Sequence, residues 1–200
     1  MKIIGVTGGS GSGKSIVCKE LKKNNCFIID CDSIAHSIIL KNKPAYKEIV
    51  SFFGNDILDD KCEIIRKKLG EIVFNDTEKL NFLNNCTHKY IIEEIKNLIN
   101  LVKKENVLNN IIIDAPLLIE ANIDKLCDEV WLIYCDENTR LKRIVERDNI
   151  SYDLAKKRIV SQKKFEEYKK YSDIIIDNSK DIKFLRKQIL RILNNNFKER

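Results

Sequence analysis

The sequence predicts an α/β fold in which a five-stranded parallel sheet is flanked by helices. Five short apolar runs, of the kind found in buried parallel strands, are separated by segments in which apolar residues recur at helical spacing. The 200 residues are 44% hydrophobic and 33% charged, which is typical of a globular chain with one main domain. The predicted strands span residues 1–6, 26–30, 111–116, 130–135 and 173–177.

The first predicted strand leads into a glycine-rich loop. Five of the seven glycines lie within the first thirteen residues, and residues 8–15 match the pattern G-x-x-x-x-G-K-[ST]. Glycine is needed there because backbone N–H groups must converge on an anion, and a Cβ would block that approach. We predict that nucleotide phosphates bind at Gly8, Gly9, Ser10, Gly11, Ser12, Gly13, Lys14, Ser15 and Ile16.

Two side chains of this loop have predicted chemical roles. Lys14 would reach the β- and γ-phosphates, and the Ser15 hydroxyl would hold Mg²⁺. The predicted strand before the loop and the helical pattern from residue 16 give the motif the context that it needs, with the phosphates at a helix N-terminus. The alternative interpretation is a flexible glycine turn that binds nothing.

Helical patterns fill the segments between the strands. The first runs over residues 16–23, the second over 34–40 with a break at Pro44, and a long one over 78–104. Residues 45–74 alternate short helical patterns with turns, a charged helical region covers about 139–170, and a terminal helix covers 182–193. Strands and helices in alternation favour a doubly wound parallel sheet.

Acidic residues follow two of the predicted strands. Asp30 and Asp32 come at the end of the second strand, and Asp114 closes the third. Ligands of such sheets bind beyond the carboxyl ends of the strands, so we expect these residues to gather near the glycine-rich loop. An aspartate there would accept a proton from a hydroxyl or bind Mg²⁺ through water, or would only cap a helix.

Composition limits which binding partners and which cellular compartment we expect. The net charge of +6 favours anionic partners, and the absence of a nucleic-acid motif favours phosphorylated small molecules over nucleic acid. No apolar run approaches the roughly 20 residues that span a bilayer, so we expect a cytoplasmic protein without a membrane segment. The seven cysteines form no C-x-x-C pair, and with two histidines they do not suggest a zinc site. We expect a monomer or a weak homo-oligomer.

Several segments in a fixed order make the chain similar to the bacterial dephospho-CoA kinase family. Residues 4–15 resemble the opening of these kinases, and residues 29–36 resemble their I-D-A-D-x-I-A-H/R segment. Further similar segments are residues 65–74, the P-L-L-x-E stretch at 116–120, the R-x-x-x-R-D series at 143–148, residues 158–162 and residues 177–178. The resemblance extends from the first residues to about Asn178.

The resemblance implies a P-loop kinase fold in one domain. Its core would comprise residues 1–31, 108–136 and 171–200, with a helical acceptor-binding insertion at about 32–107 and a helical lid at about 137–170. The implied reaction is ATP-dependent phosphorylation of the ribose 3′-hydroxyl of dephospho-CoA, with Mg²⁺, giving CoA and ADP.

The resemblance also implies roles for individual residues. Asp32 corresponds to the proposed catalytic base of the family, and Lys14 with the lid residues Arg140, Arg143 and Arg147 would act on the phosphates. Asn178 would lie by the adenine. The implied acceptor-binding residues are Asp32, Arg66, His88, Pro116, Leu117 and Glu120.

Four positions depart from the family pattern. Ile16 and Ser172 stand where Thr and Ala are usual, and we expect neither to matter for the chemistry. Ile65 replaces the Asp that usually precedes Arg66, and Lys89 replaces the Pro that usually follows His88. These two changes affect the expected acceptor contacts.

Other interpretations remain open from the sequence. The same loop and lid would suit a kinase of another nucleoside or nucleotide, or a P-loop ATPase switch. A guanine-reading N-K-x-D motif is not found, since the near match at 42–45 lacks the Asp. Each lid arginine would alternatively pair with a neighbouring acid on a solvated helix face, and His88 would alternatively be structural.

Overall fold

The computed structural model describes residues 1–105 and 109–198 of the chain. The chain divides into two compact units, one formed by Met1–Ile29 with Val102–Arg200 and the other by Asp30–Leu101. The first unit contains the sheet apart from its residue Asp30, and the second unit is mainly helical.

The predicted five-stranded sheet is confirmed. Its strands are β1 (Ile3–Thr7), β2 (Cys26–Asp30), β3 (Asn110–Asp114), β4 (Glu129–Tyr134) and β5 (Ile174–Asp177). Their order across the sheet is β2-β3-β1-β4-β5, so β1 is central. Gly5 of β1 pairs in parallel with Ile113 on one side and Val130 on the other. The loop after β1 therefore leaves the middle of the carboxyl edge, where open α/β sheets bind ligands.

Helices connect the strands and form most of the second unit. They are α1 (Lys14–Lys23), α2 (Cys31–Ile38), α3 (Pro44–Phe53), α4 (Arg66–Phe74), α5 (Thr77–Glu105), α6 (Glu137–Asp148), α7 (Tyr152–Val160), α8 (Phe165–Lys169) and α9 (Ile182–Lys198). Short 3₁₀ helices cover Asn55–Ile57 and Ile123–Leu126. In the part of the chain that the structure describes, no helix is long and apolar enough to cross a membrane.

Local sequence explains where several helices begin and end. Pro44, expected to break a helix, is the first residue of α3, where a missing N–H costs no hydrogen bond. The charged region after β4 forms three helices, and the first two are separated because Asn149 ends α6 in the left-handed conformation at φ 50° and Ser151 then caps α7. Ile65, the departure from the family pattern, occupies the N-cap of α4 without a capping side chain.

The main core lies where α1 and α9 cover one face of the sheet. Trp131 of β4 and Ile4 of β1 are completely buried there, together with Leu21 of α1 and Leu185 of α9. Burial of apolar surface is the main force that holds the two helices on the sheet. This packing fixes α1, and with it the loop that precedes α1.

A charged contact joins the same two helices at the edge of this core. The Arg186 guanidinium of α9 donates from Nε and Nη2 to the two carboxylate oxygens of Glu20 at 2.9 and 3.1 Å. Lys23 Nζ donates to Glu20 Oε1 at 2.8 Å. The hydrogen bonds from Arg186 and then Lys23 lower the pKa of Glu20 to about 2, against the opposing effect of burial.

The pKa of Glu20 predicts how this contact depends on pH. Because the folded pKa is below the unfolded value of about 4.3, the contribution of the carboxylate is complete above that pH and is lost as the pH falls towards 2. We expect Glu20→Gln to be less stable than the wild type at neutral pH and equally stable near pH 2. Urea unfolding followed by the fluorescence of Trp131, the single tryptophan, measures this difference at each pH. A difference that does not change with pH would contradict the prediction.

Candidate active site

The phosphate loop, residues 8–15, is closely surrounded by other backbone. A Cβ on Gly8 would lie 2.6 Å from the carbonyl oxygen of Ile133, and one on Gly11 would lie 2.6 Å from that of Arg140. Gly8, Gly11 and Gly13 also have positive φ angles, at 153°, 77° and 86°. The pattern of glycines is therefore required both by backbone conformation and by space.

Asn178 and Arg143 hold the loop where it joins α1. The buried Asn178 donates from Nδ2 to the Ser12 carbonyl at 2.8 Å, and a Cβ on Gly13 would collide with the same amide nitrogen. Arg143 donates from Nη2 to the Asn178 carbonyl at 3.1 Å and from Nη1 to the Gly11 carbonyl at 3.4 Å. In this structure Asn178 thus supports the loop backbone.

Arg140 lies against the tip of the loop. Its Nε donates to the Ser10 carbonyl at 2.8 Å, and its Nη2 donates to Gln162 Oε1 at 3.0 Å. Burial lowers the pKa of Arg140 from its ordinary value. The acceptors of these two hydrogen bonds are neutral, so neither bond compensates the positive charge, while Glu137 of α6 acts on it through space. An anion such as a phosphate would supply that compensation.

Arg147 differs from Arg140 and Arg143 because it has an acidic partner. Its Nε and Nη2 donate to the two oxygens of Asp148 at 2.7 and 2.9 Å, and Arg158 also pairs with Asp148. These hydrogen bonds raise the pKa of Arg147 and lower that of Asp148 to about 2. This is the surface pairing that the sequence left open, and any contact of Arg147 with phosphate requires that it leave Asp148.

The side chains and backbone of the loop fit a nucleoside triphosphate and its magnesium ion. Lys14 and Ser15 form the start of α1, so the loop amides and the helix N-terminus share one anion-binding end. No ion pair of Lys14 occurs among the residues that the structure describes. In the same described ranges, the buried Ser12 hydroxyl has no hydrogen-bond partner. An unpaired ammonium and an unsatisfied hydroxyl beside glycines without space for a side chain fit bound phosphate.

The stretch after β3 contributes three of the predicted acceptor-binding residues. The Pro116 carbonyl accepts a hydrogen bond from Thr7 Oγ1 at 3.4 Å, and Leu117 is exposed. Glu120 Oε1 lies 3.3 Å from Lys163 Nζ and accepts from the Tyr168 hydroxyl at 3.4 Å. This places Glu120 beside the segment around α8.

The second unit contains the other predicted acceptor residues. Asp32 is exposed in the first turn of α2, Arg66 is exposed at the start of α4, and His88 is half-buried in α5. Burial lowers the pKa of His88, which favours its neutral form. These three residues share a compact unit that does not contain the phosphate loop.

Asp30 and Asp32 have different surroundings. Asp30 is the N-cap of α2: its Oδ1 accepts from the backbone N–H groups of Asp32 and Ser33 at 3.0 and 3.2 Å, and its Oδ2 accepts from Ser33 Oγ at 2.8 Å. The Asp32 carboxylate has no partner among the described residues. Capping therefore accounts for Asp30, while Asp32 has free acceptor capacity.

Gln162 is a site residue that the sequence analysis did not identify. Its Oε1 accepts from the Ser10 backbone N–H at 2.9 Å, and its Nε2 donates to Ser10 Oγ at 3.1 Å. The only signal in the sequence was its position in the family-like segment at 158–162. Nothing in its local pattern separates it from a solvated lid residue.

The sheet order, the central phosphate loop and the arginines that lie against it define a P-loop kinase. The dephospho-CoA kinase family model matches residues 2–183, and the chain belongs to this family. A curated dephospho-CoA kinase of Carboxydothermus hydrogenoformans is 42% identical over 193 residues, which cover 96% of this chain and 93% of that protein. One of Fusobacterium nucleatum is 44% identical over 189 residues, covering 94% and 95%.

A solved structure supports the same assignment. The structure of a dephospho-CoA kinase from Campylobacter jejuni aligns with a TM-score of 0.73 at 32% identity and covers 98% of both chains. The alignment therefore includes residues of both units.

Lysine substitutions test Arg143 and Arg147 separately. We expect Arg143→Lys to lower kcat by about 100-fold, because a single flexible ammonium cannot replace a fork of donors that supports the loop. Arg147→Lys should lower kcat by a smaller factor, about tenfold, since its guanidinium must first leave Asp148. Steady-state kinetics of both variants give the comparison. A wild-type kcat in Arg147→Lys would mean that Arg147 only forms its surface pair with Asp148 and does not act on the phosphates.

Proposed function

We propose that this chain transfers the γ-phosphoryl group of ATP to the ribose 3′-hydroxyl of dephospho-CoA, giving CoA and ADP. Membership of the dephospho-CoA kinase family supports the reaction. The observation that carries the proposal is the set of cations around the phosphate loop, Lys14, Arg140 and Arg143, whose hydrogen-bond partners among the described residues are neutral or absent. Such a set is matched to a highly charged phosphate ligand.

The chain's own groups would bind and orient the phosphates. The loop amides and Lys14 would hold the β- and γ-phosphates, while Arg140 and Arg143 would approach from α6. The Ser15 hydroxyl is the residue proposed to hold Mg²⁺. When bound there, Mg²⁺ would neutralise part of the negative charge of the nucleotide phosphates. Arg147 is proposed to release Asp148 and then bind the phosphates.

Asp32 is proposed as the general base that accepts the proton of the acceptor hydroxyl. A base needs a free lone pair, and the hydrogen bonds that Asp30 accepts as a cap occupy its oxygens. The Asp32 carboxylate is exposed and has no such partners within residues 1–105 and 109–198. This difference favours Asp32 over Asp30 for the proton transfer.

The remaining predicted residues are proposed to recognise the acceptor and the adenine. Arg66, His88, Pro116, Leu117 and Glu120 are proposed to contact the acceptor, and Asn178 is proposed to lie by the adenine while it supports the loop. We also propose the division into core, acceptor-binding insertion and lid, a cytoplasmic location, and a monomer or weak homo-oligomer that does not act on nucleic acid.

An acceptor panel tests the reaction. ADP release is measured by a coupled assay with ATP, Mg²⁺ and, in turn, dephospho-CoA, adenosine, nucleoside monophosphates or no acceptor. We expect rapid ADP release with dephospho-CoA only. Preference for another acceptor would indicate a different small-molecule kinase, and release that does not depend on an acceptor would indicate an ATPase.

Paired amide substitutions test the base. We expect Asp32→Asn to lower kcat by two to four orders of magnitude, about 3–5 kcal/mol, with little change in ATP affinity. Asp30→Asn is the matched control, because asparagine caps a helix about as well as aspartate and should leave kcat nearly unchanged. Loss of kcat in Asp30→Asn, with Asp32→Asn near wild type, would show that Asp30 is the base and Asp32 is not.

Lys14→Ala should abolish turnover without altering the circular dichroism spectrum.

A further inference from the structure

Gln162 joins the lid segment to the phosphate loop. It follows the last residue of α7 by two positions, yet both ends of its side-chain amide are bonded to a loop 152 residues away in sequence. Its Oε1 accepts from the Ser10 N–H at 2.9 Å and from Arg140 Nη2 at 3.0 Å, and its Nε2 donates to Ser10 Oγ at 3.1 Å. One neutral side chain therefore touches both the loop and a loop-facing cation.

These contacts determine where the charge of Arg140 lies. Arg140 donates from Nε to the Ser10 carbonyl and from the neighbouring Nη2 to Gln162 Oε1. Two hydrogen bonds from one planar guanidinium fix its orientation as well as its position. The same Gln162 oxygen also accepts from the Ser10 N–H, so one atom holds both the tip of the loop and the Arg140 guanidinium.

The sequence of the loop is adapted to this arrangement. A Cβ built on Gly9 would collide with Arg140 Nη2 and would lie 3.0 Å from Gln162 Oε1. Gly9 does not need its glycine for conformation, since its φ lies outside the range that side chains avoid. The lack of a side chain at Gly9 therefore makes room for the Arg140–Gln162 pair.

We propose that Gln162 is a positioning residue for phosphoryl transfer, which holds Arg140 and the tip of the phosphate loop in their working geometry and keeps the lid segment against the loop. The inference rests on the proposed kinase function. Gln162 acts through Arg140 and Ser10 and does not take part in the chemistry. Its amide must be neutral, because a carboxylate at the same place would neutralise Arg140 and repel phosphate.

The proposal predicts a loss in the use of ATP that a destabilised lid alone does not produce. Gln162→Met keeps the length of the side chain and removes the three hydrogen bonds. We expect kcat/KM for ATP to fall by about 100-fold, the scale of a misplaced catalytic group. Because the lid segment would no longer be held against the loop, water should reach the phosphates, and more than one ADP should form for each acceptor phosphorylated.

The control and two further variants separate positioning from folding. Ser151→Ala removes the hydroxyl that caps α7 at Leu154 N, so it weakens the same lid segment without touching the loop. It should keep a wild-type ratio of ADP to product. Gln162→Glu keeps the acceptor oxygens and should bind ATP more weakly than Gln162→Met. Gly9→Ala should reproduce the raised ratio by displacing the Arg140–Gln162 pair.

Two measurements together decide the inference. Affinity for a fluorescent ATP analogue is measured without acceptor, and the ratio of ADP to phosphorylated product is measured with dephospho-CoA. Weaker nucleotide binding and a raised ratio in the Gln162 variants, with Ser151→Ala at wild-type values, support the proposal. Gln162 variants indistinguishable from Ser151→Ala overturn it. If the wild type does not phosphorylate dephospho-CoA, the proposed function fails, and unchanged nucleotide affinity in Gln162→Glu would still overturn the role of Gln162.

Discussion

The close packing around the phosphate loop is the constraint on which the rest of this structure depends. Backbone atoms of β4 and α6 lie where side chains on Gly8 and Gly11 would be, and the Asn178 amide fills that place at Gly13. By contrast, a Cβ on Gly54 or Gly70 would meet nothing within 4 Å. The loop can present its N–H groups to an anion only because three separate elements support it from behind. The central position of β1 and the burial of α1 bring those elements together.

The arginines of the first unit fall into two groups according to the charge of their hydrogen-bond partners. Arg186 and Arg147 donate to the carboxylates Glu20 and Asp148, and such pairs are complete without a ligand. Arg140 and Arg143 donate to carbonyl and amide oxygens beside the loop, which orient a guanidinium and leave its charge in place. A half-buried charge without a counter-charge disfavours the folded state unless an anion binds there. The same arrangement that costs stability therefore favours phosphate.

The fold and the phosphate loop could be predicted from sequence because their signals are local. Apolar runs identified all five strands, and the glycine pattern between β1 and α1 identified the loop. The division of the charged region after β4 into α6 and α7 was harder to predict, since it depends on one left-handed asparagine and one serine cap. The roles of Asp30 and Asp32 stayed open for a similar reason: both are aspartates, which suit a helix cap, and only the hydrogen bonds that Asp30 accepts distinguish them.

By itself, the sequence determined the succession of strands and helices along the chain, the anion-binding loop and the family resemblance. Each of these rests on residues that are neighbours in the chain. Only the tertiary structure shows which atoms of the distant side chains contact that loop. Arg140, Gln162 and Asn178 follow it by more than a hundred residues, and no local pattern indicates that they meet at Ser10 and Ser12. Side-chain hydrogen bonds act over about 3 Å, so they exist only after the sheet has brought distant segments to the same edge.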